Sequence, residues 1–283
     1  ITMRALLTPG DEVIVMAPAY QSLRYVAEHI CGAENVKLWH VHAQGARWQA
    51  NLDELKRLFT DRTKLLIVNF PHNPTGYLPS AGEFEEIIAL AQQHNVRLFC
   101  DEMYRGLENE GVSRLPSAAD RDPQSIVLSG LSKVYGLPGL RSGWLVVEDE
   151  QLRQDLLNWK NYTTICAPGP SEFLALAAMK VSEELRQRSQ SILQRNLQAA
   201  DAFFGRWPSL FTWRRPQAGP VALVGVNVDS AEAFCQHLID DAALLLLPAT
   251  HLDYDDHHVR FGFGRADAAR NLERLDQYLT SAK

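Results

Sequence analysis

The run KLLIVNFPHNPTGYLPSAGEFEEIIALAQQHNVRLFCD, residues 64 to 101, decides the fold class. Lys64 to Asn69 is a short β-rich stretch followed by Pro71, and Val96 to Cys100 is a second. Between them, Gly82 to His94 carries Phe84, Ile87, Ile88, Leu90 and Ala91 at helical spacing, one apolar face suited to covering a sheet. Two strands separated by an amphipathic helix predict parallel pairing with a right-handed crossover, because a hairpin has no use for a helix between its strands.

The same rhythm extends both ways. Further strands are expected at Glu12 to Met16, Val36 to Val41, Ser125 to Ser129 and Gly143 to Val147, with helices at Ser22 to Ile30 and Leu52 to Phe59. The predicted class is α/β, a mostly parallel, doubly wound sheet with helices on both faces. Thr2 to Leu7 reads as the last turns of a helix stopped by Pro9 and Gly10, as in a chain that begins mid-domain. Beyond Trp144, helices are expected at Glu150 to Lys160, Glu172 to Lys180 and Ser182 to Phe204. Then come strand-like Val221 to Val228, a helix at Ala231 to Ile239, strands at Leu244 to Leu247 and His258 to Gly262, and a helix at Ala266 to Tyr278. This tail predicts a smaller α+β C-terminal domain, which divides the chain into 1–185 and 186–283.

Composition narrows the functional classes. The 283 residues are 46% hydrophobic and 22% charged, the balance of a globular protein. A formal charge of −6 offers no electrostatic footprint for nucleic acid or anionic lipid. The aliphatic run Ala242 to Leu247 is far short of the roughly 20 residues of a membrane span. Cys31, Cys100, Cys166 and Cys235 are widely spaced, which suggests buried, reduced thiols rather than disulfides or zinc. His251, His257 and His258 lie in an aspartate-rich run, but neighbouring strand residues point to opposite faces, and no metal site is expected.

In an open parallel sheet, ligands bind beyond the carboxyl ends of the strands. Those ends carry Tyr20, then PHNPTG at 71 to 76, then Asp101 and Tyr104, then SGLSKVYGLPGLR at 129 to 141. Singly, each has a plain reading as turn, core or surface. Asp101 is the exception, since a carboxylate closing the apolar run VRLFC heads for the interior and needs a partner.

Together the segments PAY, NFPHNPTG, DEMY, SGLSKVYGLPGLRSGW and VRFGFGR, in this order, resemble the fold-type I pyridoxal-5′-phosphate (PLP) enzymes, specifically the class I/II aminotransferases. The resemblance implies catalytic roles for Lys133, Asp101 and Tyr104. Lys133 would bond to the cofactor aldehyde and later move the substrate Cα proton, work that requires a neutral amine. Asp101 would pair with the pyridine nitrogen. Tyr104 and Asn73 would donate to the ring's phenolic oxygen, Tyr20 would stack on the ring, and Ser132 and Arg141 would bind phosphate. Arg260 would grip the substrate α-carboxylate, with Asn73 beside it. The implied reaction is transamination between an L-amino acid and a 2-oxo acid, in a cytoplasmic homodimer whose 162–170 segment approaches the partner's site.

The chain departs from the family's pattern at Gly130, where a second serine is common, and one phosphate hydrogen bond is expected to be lost or replaced there. The resemblance also implies a further central strand and a glycine-containing helix N-terminus upstream of Ile1, about a quarter of a family member. Poor cofactor binding and little activity are therefore expected of these 283 residues alone. Two other functions fit the same motifs: a lyase, decarboxylase or cyclase of the same fold, and a non-catalytic sensor domain of a transcription regulator.

Overall fold

The computed structural model describes residues 1–281. Along the chain run α1 (Thr2–Leu6), β1 (Glu12–Ala17), α2 (Gln21–Cys31), β2 (Val36–Gln44), β3 (Arg47–Ala50), α3 (Leu52–Leu58), β4 (Thr63–Asn69), α4 (Ala81–Gln93), β5 (Arg97–Asp101) and β6 (Ile126–Gly130). They continue with β7 (Gly143–Val147), α5 (Glu150–Asn161), α6 (Gly169–Lys180), α7 (Ser182–Arg206), β8 (Phe211–Thr212), β9 (Val221–Val226), α8 (Ala231–Ala242), β10 (Leu247–Pro248), β11 (His258–Gly262) and α9 (Ala268–Ser281).

Seven strands form one sheet in the order β3-β2-β1-β4-β5-β6-β7. Pairing is parallel from β2 through β6 and antiparallel at both rims, β2 with β3 and β6 with β7. Strand alternation sends Ile14, Leu66, Val68, Leu98 and Cys100 to a core shared with α3 and α4. Their neighbours Val13, Val15, Leu65, Ile67 and Phe99 go to a second core under α2 and α5. Both faces are covered, which is why these strands are apolar throughout. On α4, Phe84, Ile87 and Ile88 are buried, each worth about 2 kcal/mol. Ser80 and Glu83 close its N-terminus as a capping box.

Four strands, β10-β11-β9-β8, form the antiparallel second sheet. One face packs with α7, α8 and α9 around Leu197, Phe203, Phe204, Val224 and Phe261. The expected boundary at residue 185 falls within α7, a single helix of 25 residues.

Several elements differ from the sequence reading. β3 was not expected; its four residues alternate in burial as a rim strand should, with Trp48 and Ala50 inward. The aliphatic run at 244 to 247 enters a ladder only at Leu247, and Leu245 is 82% exposed. Cys31, Cys100 and Cys235 are buried, but Cys166 is exposed, contrary to the expectation for all four.

Candidate active site

β1, β4, β5 and β6 are mutually parallel, so their carboxyl ends share one edge, and Tyr20, Asn73, Asp101 and Lys133 follow from those four ends. Asn69 and Asp101 stand side by side in the β4–β5 register. Asp101 is 8% exposed, and its Oδ1 accepts from the Met103 backbone N–H at 3.0 Å. It makes no ion pair among the described residues. Burial pushes its pKa up to about 6, against the opposing pull of the Met103 N–H and the Lys133 ammonium.

Tyr104 is buried one turn later, and burial raises its phenol to about 12. Arg260 opposes that rise electrostatically, while Asp101 and Tyr20 add to it. Gly219, at φ +82°, lets a loop before β9 press on the ring: a Cβ there would lie 3.2 Å from Tyr104 Cδ2.

Arg260 reaches the site from the second sheet. It stands opposite Leu247 and Leu223 in the ladder, and directly opposed residues share a face. Leu223 packs into the core of the large sheet, so this face looks toward the strand ends. There Arg260 Nη1 donates to Asn73 Oδ1 at 3.2 Å. Val259 and Phe261 turn the other way, into the second core.

The loop between β4 and α4 is held from both sides. His72 Nδ1 lies 2.7 Å from Thr75 Oγ1, and burial lowers the His72 imidazole to about 3, keeping it neutral. Gly76, at φ +70°, offers its carbonyl to the backbone N–H groups of Gln217 and Ala218 at 2.9 and 3.1 Å. A Cβ on Gly76 would collide with the Pro216 Cβ and lie 2.9 Å from its Cα. Gly76→Ala is therefore expected to lower stability by about 3 kcal/mol, measured as a drop in the urea midpoint.

The remaining candidates are more open. Tyr20 is 51% exposed at the N-terminus of α2. Lys133 is exposed rather than desolvated, and Ser132 is half-buried. Arg141 is exposed in a left-handed conformation, its Nη1 donating to the Pro138 carbonyl at 3.2 Å. No hydrogen bond or ion pair joins it to the other candidates among the described residues. Gly130 sits opposite Gly143, and a Cβ there would lie 3.0 Å from both Gly143 Cα and the Ser142 carbonyl. A serine at 130 would have to push that backbone aside.

Asn69 was not among the sequence-derived candidates. Its signal was a single polar residue ending the apolar strand KLLIV. A link between the two sheets was also missed. Tyr25 donates to Asp253 at 2.7 Å, Arg24 pairs with the same carboxylate at 3.2 Å, and Gln21 donates to the His251 carbonyl at 3.0 Å. Nothing in a local motif marks pairs more than 200 residues apart.

Comparison with known proteins bears on the whole chain. The family model Aminotransferase class I and II matches residues 1–276. Aspartate aminotransferase of Thermotoga maritima is 26% identical over 282 residues, covering 97% of this chain and 69% of that protein. The crystal structure of a PLP-dependent aminotransferase from Streptococcus suis superposes with a TM-score of 0.91 at 30% identity, covering 100% of this chain and 74% of that one. The PLP-dependent cyclase OrfR superposes with a TM-score of 0.87 at 27% identity, covering 100% and 75% respectively.

Proposed function

Because this chain belongs to the aminotransferase class I and II family, we propose that it binds PLP at the shared strand edge and moves an amino group between an amino acid and a 2-oxo acid. The observation that carries this reading is Asp101: a carboxylate 8% exposed, without an ion pair among the described residues, within electrostatic reach of Lys133 and Tyr104. A buried carboxylate of this kind is costly unless a cation completes it, and a protonated pyridine nitrogen is such a cation. The donor set fits the rest of the cofactor. Tyr104 and Asn73 suit a phenolate oxygen, and Ser132 with the fork of Arg141 suits a phosphate.

Bound PLP supplies an aldehyde carbon and a ring that takes up the electron pair left at the substrate Cα. The protein's own groups do the rest. The free amine of Lys133 would take the proton from the substrate Cα and deliver it to the carbon that was the aldehyde, as only an unprotonated lysine can. Asp101 would hold the pyridine nitrogen in its protonated form, and Tyr20 would stack on the ring. Arg260 binds the substrate α-carboxylate, and its bond to Asn73 sets the guanidinium beside the ring-binding residues. That bond crosses between residues 1–185 and 186–283, the two domains we propose, so substrate binding would draw them together and exclude water.

We further propose a homodimer. Tyr162, Ile165, Phe173 and Leu176 are exposed by 90%, 69%, 72% and 68%, an apolar surface that supports partner contact. A second reading, cyclisation, is favoured by the likeness to OrfR across the whole chain. Mixing the PLP-loaded protein with amino acids and following the cofactor's absorption separates the two. Conversion to the pyridoxamine form is expected for transamination; substrate loss without that conversion indicates a cyclase or lyase, and no spectral change with any amino acid, in this chain or in one extended by the upstream segment the family pattern implies, refutes both.

A further inference from the structure

We propose that Asn69 is a positioning residue that holds Asn73 and the end of β5 in one hydrogen-bonded row leading to Arg260; the proposal rests on the PLP reading above. Asn69 is the last residue of β4 and is 5% exposed. Its Oδ1 accepts from the Asn73 backbone N–H at 2.8 Å, and its Nδ2 donates to the Asp101 carbonyl at 2.9 Å. These partners define the amide's orientation, because a carbonyl accepts only from a donor and an N–H requires an acceptor. The Asp101 carbonyl also accepts from the Phe70 N–H at 3.0 Å, which fills its second lone pair.

The row continues beyond Asn73, whose side-chain Oδ1 accepts from Arg260 Nη1 at 3.2 Å. One buried amide thus stands between the backbone that presents Asp101 and the residue against which Arg260 rests. An amide offers its donor and its acceptor on separate atoms without charge, as two partners on different segments require. Leucine would strand the Asn73 N–H inside the protein, and an ionised aspartate would set oxygen against the Asp101 carbonyl oxygen. Both polar atoms of the Asn69 side chain are taken by protein partners, so its effect passes through Asn73 and the end of β5.

A double-mutant cycle in the full chain tests this, with PLP affinity read by quenching of tryptophan fluorescence and stability by the urea midpoint. Asn69→Ala is expected to weaken PLP binding about tenfold, the usual scale for orphaning a buried partner. In an Asn73→Ala background the same change is expected to cost clearly less, about threefold, since the side chain it aims has gone and only its hold on the Asp101 carbonyl remains. Asn69→Ser, a shorter donor and acceptor, takes its place in the cycle if the alanine variant does not fold. Equal losses in the two backgrounds, or no loss in the first, overturn the positioning role while leaving the PLP reading intact. A wild-type chain that binds no PLP overturns that reading and this proposal with it.

Discussion

Replacing Lys133 by alanine is expected to reduce turnover by at least about 10⁴-fold, because one group supplies both the covalent hold on the cofactor and the base. Lys133 follows β6, three residues after Gly130, and its charge is felt by Asp101. Lys133→Arg is expected to be equally inactive. It keeps a positive charge near Asp101, but a guanidinium never becomes a free base at neutral pH, so the pair of variants separates charge from proton transfer. PLP is expected to remain bound to both variants through Asp101 and the phosphate ligands, yet to wash out after borohydride treatment that fixes it to the wild type. Peptide mapping of the reduced wild type is the check. A pyridoxyl group on another lysine, or on none, rules out this assignment.

The sheet was legible because its strands are short apolar runs separated by helices with one apolar face, and burial on both sides leaves that signature in every strand. What local pattern could not carry was the rim. β3 is four residues long, too short for alternation to stand out, and β7 is recognisable as a strand but not as an antiparallel one. The candidate site was legible where a polar residue interrupts an apolar run at a strand end, as Asp101 does. Asn69 breaks its strand in the same way, but its purpose becomes evident only when β5 is laid beside β4. The Arg260–Asn73 bond joins residues 187 positions apart, and the motif VRFGFGR alone does not say which way its arginine points. The ladder does, since it places Arg260 on the face it shares with Leu223.

Asp101→Asn is expected to make the protein without cofactor more stable near pH 8 while removing catalysis. Burial raises the Asp101 carboxyl from 3.8 to about 6 in the folded chain, so folding favours its neutral form. The sign follows from linkage. The stability associated with that proton is fully present below about pH 4 and is lost as pH rises through about 6, where the buried group must ionise. Asparagine has the same shape, can still accept from the Met103 N–H and never ionises. Urea unfolding of the cofactor-free proteins should therefore show the two alike below about pH 4, with the variant ahead by on the order of 3 kcal/mol near pH 8. Cofactor affinity should run the other way. The carboxylate is the form that pairs with a protonated pyridine, so wild-type PLP binding is expected to weaken as pH falls through about 6, by up to about tenfold per unit. The variant lacks this component, and subtracting its profile removes the titration of the phosphate itself. Turnover of the variant is expected to fall by about 10³-fold, since the ring then loses the charge that keeps its nitrogen protonated. A variant whose stability and PLP affinity track the wild type at every pH would show that Asp101 is neither buried at a cost nor paired with the cofactor.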